Sequence, residues 1–137
     1  MNKCNGLPKS LGRMSYRAHN TYFETEILTA DPVRLVQLLY RGAIEAVAAS
    51  RRHLDTGAIR ERVRQINKAL GIVHELLETL DRERGGEIAR NLAGLYAYMS
   101  TRLIDANTQQ IDAPLAEVET LLTTLADAWT PVIEAAA

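Results

Sequence analysis

The sequence predicts an all-α fold, an antiparallel up-down-up-down four-helix bundle with a short N-terminal helix or arm, and three observations carry that prediction. Four long stretches repeat apolar residues at helical spacing. Start and stop signals separate them: Asp31-Pro32, Asp55-Thr56-Gly57, Gly85-Gly86, and Asp112 with Pro114. No run alternates apolar and polar residues with the period of a strand. The 137 residues suit one domain, which at this length buries roughly 70% of the surface of the unfolded chain.

Residues 1 to about 15 lack a period and are expected to form a mobile tail. Between Tyr16 and Leu28, Thr21 and Glu24 have capping-box spacing, and Tyr16, Phe23 and Ile27 can share a face. So short a helix is marginal alone, so residues 1–28 are expected to be an arm on a bundle spanning 29–137. The first long helix starts at Asp31-Pro32, where the carboxylate can accept from orphan N–H groups and proline loses no needed donor. It carries two adjacent seams, Val36, Tyr40, Ala43, Val47, Leu54 and Leu35, Leu39, Gly42, Ala46, Ala49, and so should touch several neighbours.

After the turn, Thr56 or Asp55 is expected to cap a second helix with the seam Ile59, Val63, Ile66, Leu70, Val73, Leu77 and Leu80. Ala69, Ile72 and Leu76 beside it form either a second packing face or an exposed groove. The double glycine is expected to end this helix and to open the next, with Ile88, Leu92, Leu95, Met99 and Leu103 as its seam. Asp112 should cap a last helix with Leu115, Val118, Leu122, Leu125, Trp129 and Val132 facing inward. Pro131 removes a backbone donor, and a kink or an end is expected near Trp129 and Thr130.

Sixteen basic against seventeen acidic residues give a formal charge of -1, which leaves no positive field for nucleic acid. Arg60, Arg62 and Arg64 surround Glu61 and read as a solvated face. Cys4 stands alone, so no internal disulfide is expected, and no apolar run reaches the roughly 18 residues of a membrane span; a cytoplasmic location fits. No metal, cofactor or catalytic residue is expected. His19, His53 and His74 lack the Glu-x-x-His spacing of di-metal bundles, and no Gly-Lys-Ser/Thr loop is present.

Several motifs occur in a fixed order: Thr29-Ala30-Asp31-Pro32, Leu39-Tyr40-Arg41-Gly42-Ala43-Ile44, Thr79-Leu80-Asp81, and Gly85-Gly86-Glu87-Ile88-Ala89 with Asn91-Leu92. Leu95-Tyr96-Ala97-Tyr98-Met99 through Ala106-Asn107 follows, then Glu117-Val118, Leu121-Leu122 and Ala128-Trp129. In this combination the chain resembles the FliS-type flagellar export chaperones over roughly residues 20 to 130. The resemblance implies a cytosolic bundle that binds the disordered C-terminal segment of flagellin, prevents premature polymerisation and assists delivery to the flagellar export apparatus. It departs from the family at Arg41 and Ala97, where acidic residues are usual, and at Pro131, where the last helix commonly continues.

With that resemblance, Leu39, Ile72, Leu76, Tyr96 and Leu103 are expected to line a client groove, and Leu70, Val73, Leu95 and Leu125 to form core. Tyr16, Tyr22, Phe23 and Ile27 are expected to plug that groove when it is empty. The competing reading is a structural helical module that homodimerises through one exposed seam and has no flagellin client.

Overall fold

The computed structural model describes the backbone of residues 31–136 and the side chains of residues 31–129. Four helices account for this span: α1 Pro32–Thr56, α2 Ile59–Glu78, α3 Arg82–Gln109 and α4 Ala113–Ala136. Each packs on its neighbour in sequence, and α4 also packs on α1, so the four close a ring with an all-helical core. The N-terminal arm expected over residues 1–28 lies outside the described residues.

The helix ends follow local chemistry. Asp31 accepts from the Arg34 N–H at 2.8 Å, with Pro32 directly behind it. Gly57, at φ 76°, closes α1 in the left-handed region, and the Ala58 N–H returns to the His53 carbonyl at 2.9 Å. Thr56 does not cap α2 as expected. It ends α1 and donates its hydroxyl to the His53 carbonyl, while α2 starts at Ala58 without a side-chain cap.

The break between α2 and α3 falls earlier than the double glycine suggests. The Thr79 hydroxyl donates to the Leu76 carbonyl at 2.7 Å and Asp81 accepts from the Arg84 N–H at 3.1 Å, so a stop and a new N-cap lie within three residues. Gly86 instead kinks α3, with φ 54° and ψ -126°, a combination essentially reserved for glycine. A Cβ on Gly85 would come within 2.7 Å of the Ala89 Cβ, so the pair of glycines lets a first turn fold back closely on the main shaft.

The inward faces are also rotated from the expected seams. On α2 the buried residues are Ile66, Ala69, Ile72, Val73 and Leu76, whereas Ile59 is exposed and Leu70 and Leu77 are half-buried. On α3 Ala89, Tyr96, Met99, Leu103 and Ala106 point inward, and Ile88 is 71% exposed. Gly86 breaks the helical phase just before Ile88, so that residue does not continue the face defined by Met99 and Leu103. On α4 Leu115, Val118 and Leu122 are buried as expected. The helix does not stop at Trp129. It runs through Pro131 to Ala136, since losing one N–H donor interrupts a single rung near a helix end.

Candidate functional site

The five residues expected to line an open groove lie instead in the packed core: Leu39, Ile72, Leu76, Tyr96 and Leu103 are each at most 2% exposed. The reason is geometric. α1 has two inward seams and sits between α2 and α4, so it covers the face of α2 that carries Ile72 and Leu76. Of the four residues expected in the core, Val73 is buried, while Leu70, Leu95 and Leu125 are partly buried against it. Tyr16, Tyr22, Phe23 and Ile27 lie outside the described residues. Arg62, expected on a solvated face, is buried, and its guanidinium reaches the Asn107 amide oxygen across α2 and α3 at 3.4 Å.

Three helices bring polar groups together inside this apolar surrounding. The Tyr40 and Tyr96 hydroxyls are 2.6 Å apart, and the Trp129 indole N–H donates to the Tyr40 oxygen at 3.2 Å. Burial pushes both phenol pKa values up, because an ionised phenolate would lose its water. The trio ties α1, α3 and α4 at one end of the bundle. Its separate members were legible as apolar-seam residues, but their meeting was not. The available signal was that a buried tyrosine hydroxyl or indole N–H ordinarily needs a polar partner.

Two recesses meet at the Trp129 ring. One, about 300 Å³, opens beside the glycine kink and is lined by Val36, Leu80, Ile88, Leu92, Tyr96 and Trp129 among others. The second, about 340 Å³, lies between α1 and α4, with Tyr40, Ile44, Glu45, Asp127 and Trp129 on its walls. Both are mainly apolar pits with a few polar groups, a form suited to side chains of another polypeptide.

The rest of the polar surface serves to join helices. At the opposite end from Trp129, Arg51 of α1 holds both oxygens of Asp112, at 2.8 and 2.9 Å, and Glu119 of α4 at 2.7 Å. Its guanidinium pKa is raised, first by the hydrogen bonds to Asp112. Between α3 and α4, Glu117 accepts from the Tyr98 hydroxyl at 2.7 Å and from Arg102 Nε at 2.8 Å. Those two hydrogen bonds, that of Tyr98 first, hold the Glu117 carboxyl below its usual range. Among the described residues no three His, Cys, Asp or Glu side chains group as a metal site, and no helix is long and apolar enough to cross a membrane.

A helical bundle whose most developed features are apolar recesses and interhelical ties has the form of a polypeptide-binding protein. The family model described as flagellar protein FliS matches residues 14–136, and the chain belongs to that family. It is 43% identical over 106 residues to the flagellar secretion chaperone FliSB of Pseudomonas aeruginosa, covering 77% of this chain and 84% of that protein. It is 38% identical over 107 residues to the flagellar secretion chaperone FliS of Salmonella typhimurium, covering 77% and 79%. With FliS of Bacillus subtilis it shares 29% identity over 116 residues, covering 85% and 86%. The family is thus one of flagellar secretion chaperones, and the all-helical bundle agrees with it.

Proposed function

We propose that this protein is a cytoplasmic export chaperone that binds the disordered C-terminal segment of flagellin, keeps flagellin from polymerising early and assists its delivery to the flagellar secretion machinery. The observation that carries the reading is the pair of apolar recesses meeting at Trp129, on a chain whose relatives are named flagellar secretion chaperones. A disordered client gains helix as it docks, so the bundle supplies apolar relief rather than reaction chemistry. Because Leu39, Ile72, Leu76 and Leu103 are buried, client side chains first meet the partly buried rows around them, Leu92 and Leu95 on α3 and Leu121 and Leu125 on α4. The Tyr98 and Arg102 bonds to Glu117 set these rows antiparallel and side by side.

The test is calorimetric titration of a flagellin C-terminal peptide into the full chain, with circular dichroism of the peptide before and after binding. Binding should bring a strongly negative heat-capacity change and a gain of helix. A peptide that fails to bind overturns the flagellin assignment; one that binds while remaining coil, with a heat-capacity change near zero, overturns the folding-on-contact mechanism.

A further inference from the structure

The trio at the end of the bundle has one more donor than it can use internally. Trp129 N–H donates to Tyr40, and one of the two hydroxyl protons fills the 2.6 Å gap between the tyrosines. The other hydroxyl proton then has no acceptor within the trio. A chain in which each hydroxyl accepts one bond and donates one is favoured by mutual polarisation, giving the order Trp129 to Tyr40 to Tyr96. The surplus proton is then on Tyr96, which lines the recess beside the glycine kink, whereas Tyr40 lines the other recess.

The remaining polar side chains around that recess are already engaged. Thr79 donates to the Leu76 carbonyl, and the Asp81 carboxylate turns back onto the Arg84 N–H. What the recess lacks is an acceptor, set among the apolar side chains of Val36, Leu80, Ile88 and Leu92. In a polypeptide, apolar side chains and unsatisfied carbonyls come together in the last turn of an amphipathic helix, where the final four C=O groups have no intrahelical partner. The Arg84 side chain, 91% exposed at the rim, adds a positive charge that suits the negative end of a helix dipole.

We propose that this recess captures the C-terminal end of a client helix, with Tyr96 donating its hydroxyl proton to a terminal-turn carbonyl. The inference rests on the flagellin-binding reading and adds the part of the client that is held and the atom that holds it. Tyr96 is a specificity residue here: it accepts a helix that ends in the recess and leaves an N–H donor without a partner.

The experiment titrates a Trp-free peptide from the C-terminus of flagellin into wild type, Tyr96→Phe and Tyr40→Phe, recording affinity, Trp129 emission and a thermal melt for each. Trp129 is the chain's single tryptophan, so its emission reports the recess directly. Tyr96→Phe should weaken binding roughly three- to tenfold, the worth of one net hydrogen bond. Tyr40→Phe removes the acceptor for Trp129 but leaves the Tyr96 donor, so it should lower the melting temperature more and change affinity by no more than about twofold. In wild type the peptide should shift Trp129 emission. Peptide binding that is unaffected by Tyr96→Phe, or weakened equally by both variants, overturns the capture while leaving the chaperone reading in place. An emission shift caused by removing residues 1–28 but not by peptide would give the recess to the arm and also overturn it. A wild type that binds no peptide removes both proposals together.

Discussion

Tyr40 and Tyr96 show how a residue read as a seam position takes on a second role. Their spacing placed them on helices with apolar faces; their hydroxyls, which spacing does not describe, make the polar tie across the bundle. The tie has a pH signature. Burial raises both folded-state pKa values above the ordinary 10, so the contribution of the pair to stability is complete below about pH 10 and declines as pH rises toward the folded values. Chemical denaturation between pH 8 and about 11.5 should show this loss, and the Tyr40→Phe, Tyr96→Phe double variant should flatten it. Glu117 has the opposite sign: its pKa is lowered, so its contribution is present above the ordinary carboxylate range and is lost as pH falls through the folded value. Glu117→Gln should remove that acid-side slope. Among apolar residues, Ile72→Asp should now unfold the bundle as Val73→Asp does, because both sites are fully inside it. A melt of Ile72→Asp that resembles wild type would contradict the packed position.

Among the elements, α1 and α4 were the most legible because their start signals and inward residues act locally: Asp31 does cap α1, and Leu115, Val118 and Leu122 do face inward. The boundary between α2 and α3 was not legible, because Gly85-Gly86 is the louder sequence signal while Thr79 and Asp81 make the quieter hydrogen bonds that end one helix and start the next. The inward faces of α2 and α3 were misplaced for a related reason. A heptad count fixes which residues share a stripe, but two flanking stripes on one helix leave its rotation to the neighbours. The kink gives a direct test. Gly86→Ala forces a side chain into φ 54°, ψ -126° and should cost about 1–3 kcal/mol, whereas Asp81→Ala, which removes only a cap, should cost about 1 kcal/mol. Urea titrations of the two variants should rank them in that order.

For the whole molecule, the fold class was legible because four amphipathic stretches and short turns admit few arrangements other than a bundle. The candidate site was less so: exposure is settled by how helices are turned toward one another, and α1 covers the residues expected in the groove. If residues 1–28 act as a plug, their removal should tighten flagellin binding roughly 10- to 100-fold, the effect of an arm closed about 90 to 99% of the time, and make the free chain more prone to aggregate. Unchanged affinity and solubility would show a loose tail, and an unfolded truncation would show permanent core. Arg51 carries a different consequence, one of order in time. Its bond to Asp112 joins residues 61 apart in sequence and pins the start of α4 to the end of α1, closing the ring at its longest chain separation. Such a closure, with its larger entropy of loop formation, comes after the local helix pairs have formed. Arg51→Met should therefore steepen escape from the native state while leaving the approach to it nearly unchanged: a faster unfolding limb and an unmoved refolding limb in stopped-flow measurements.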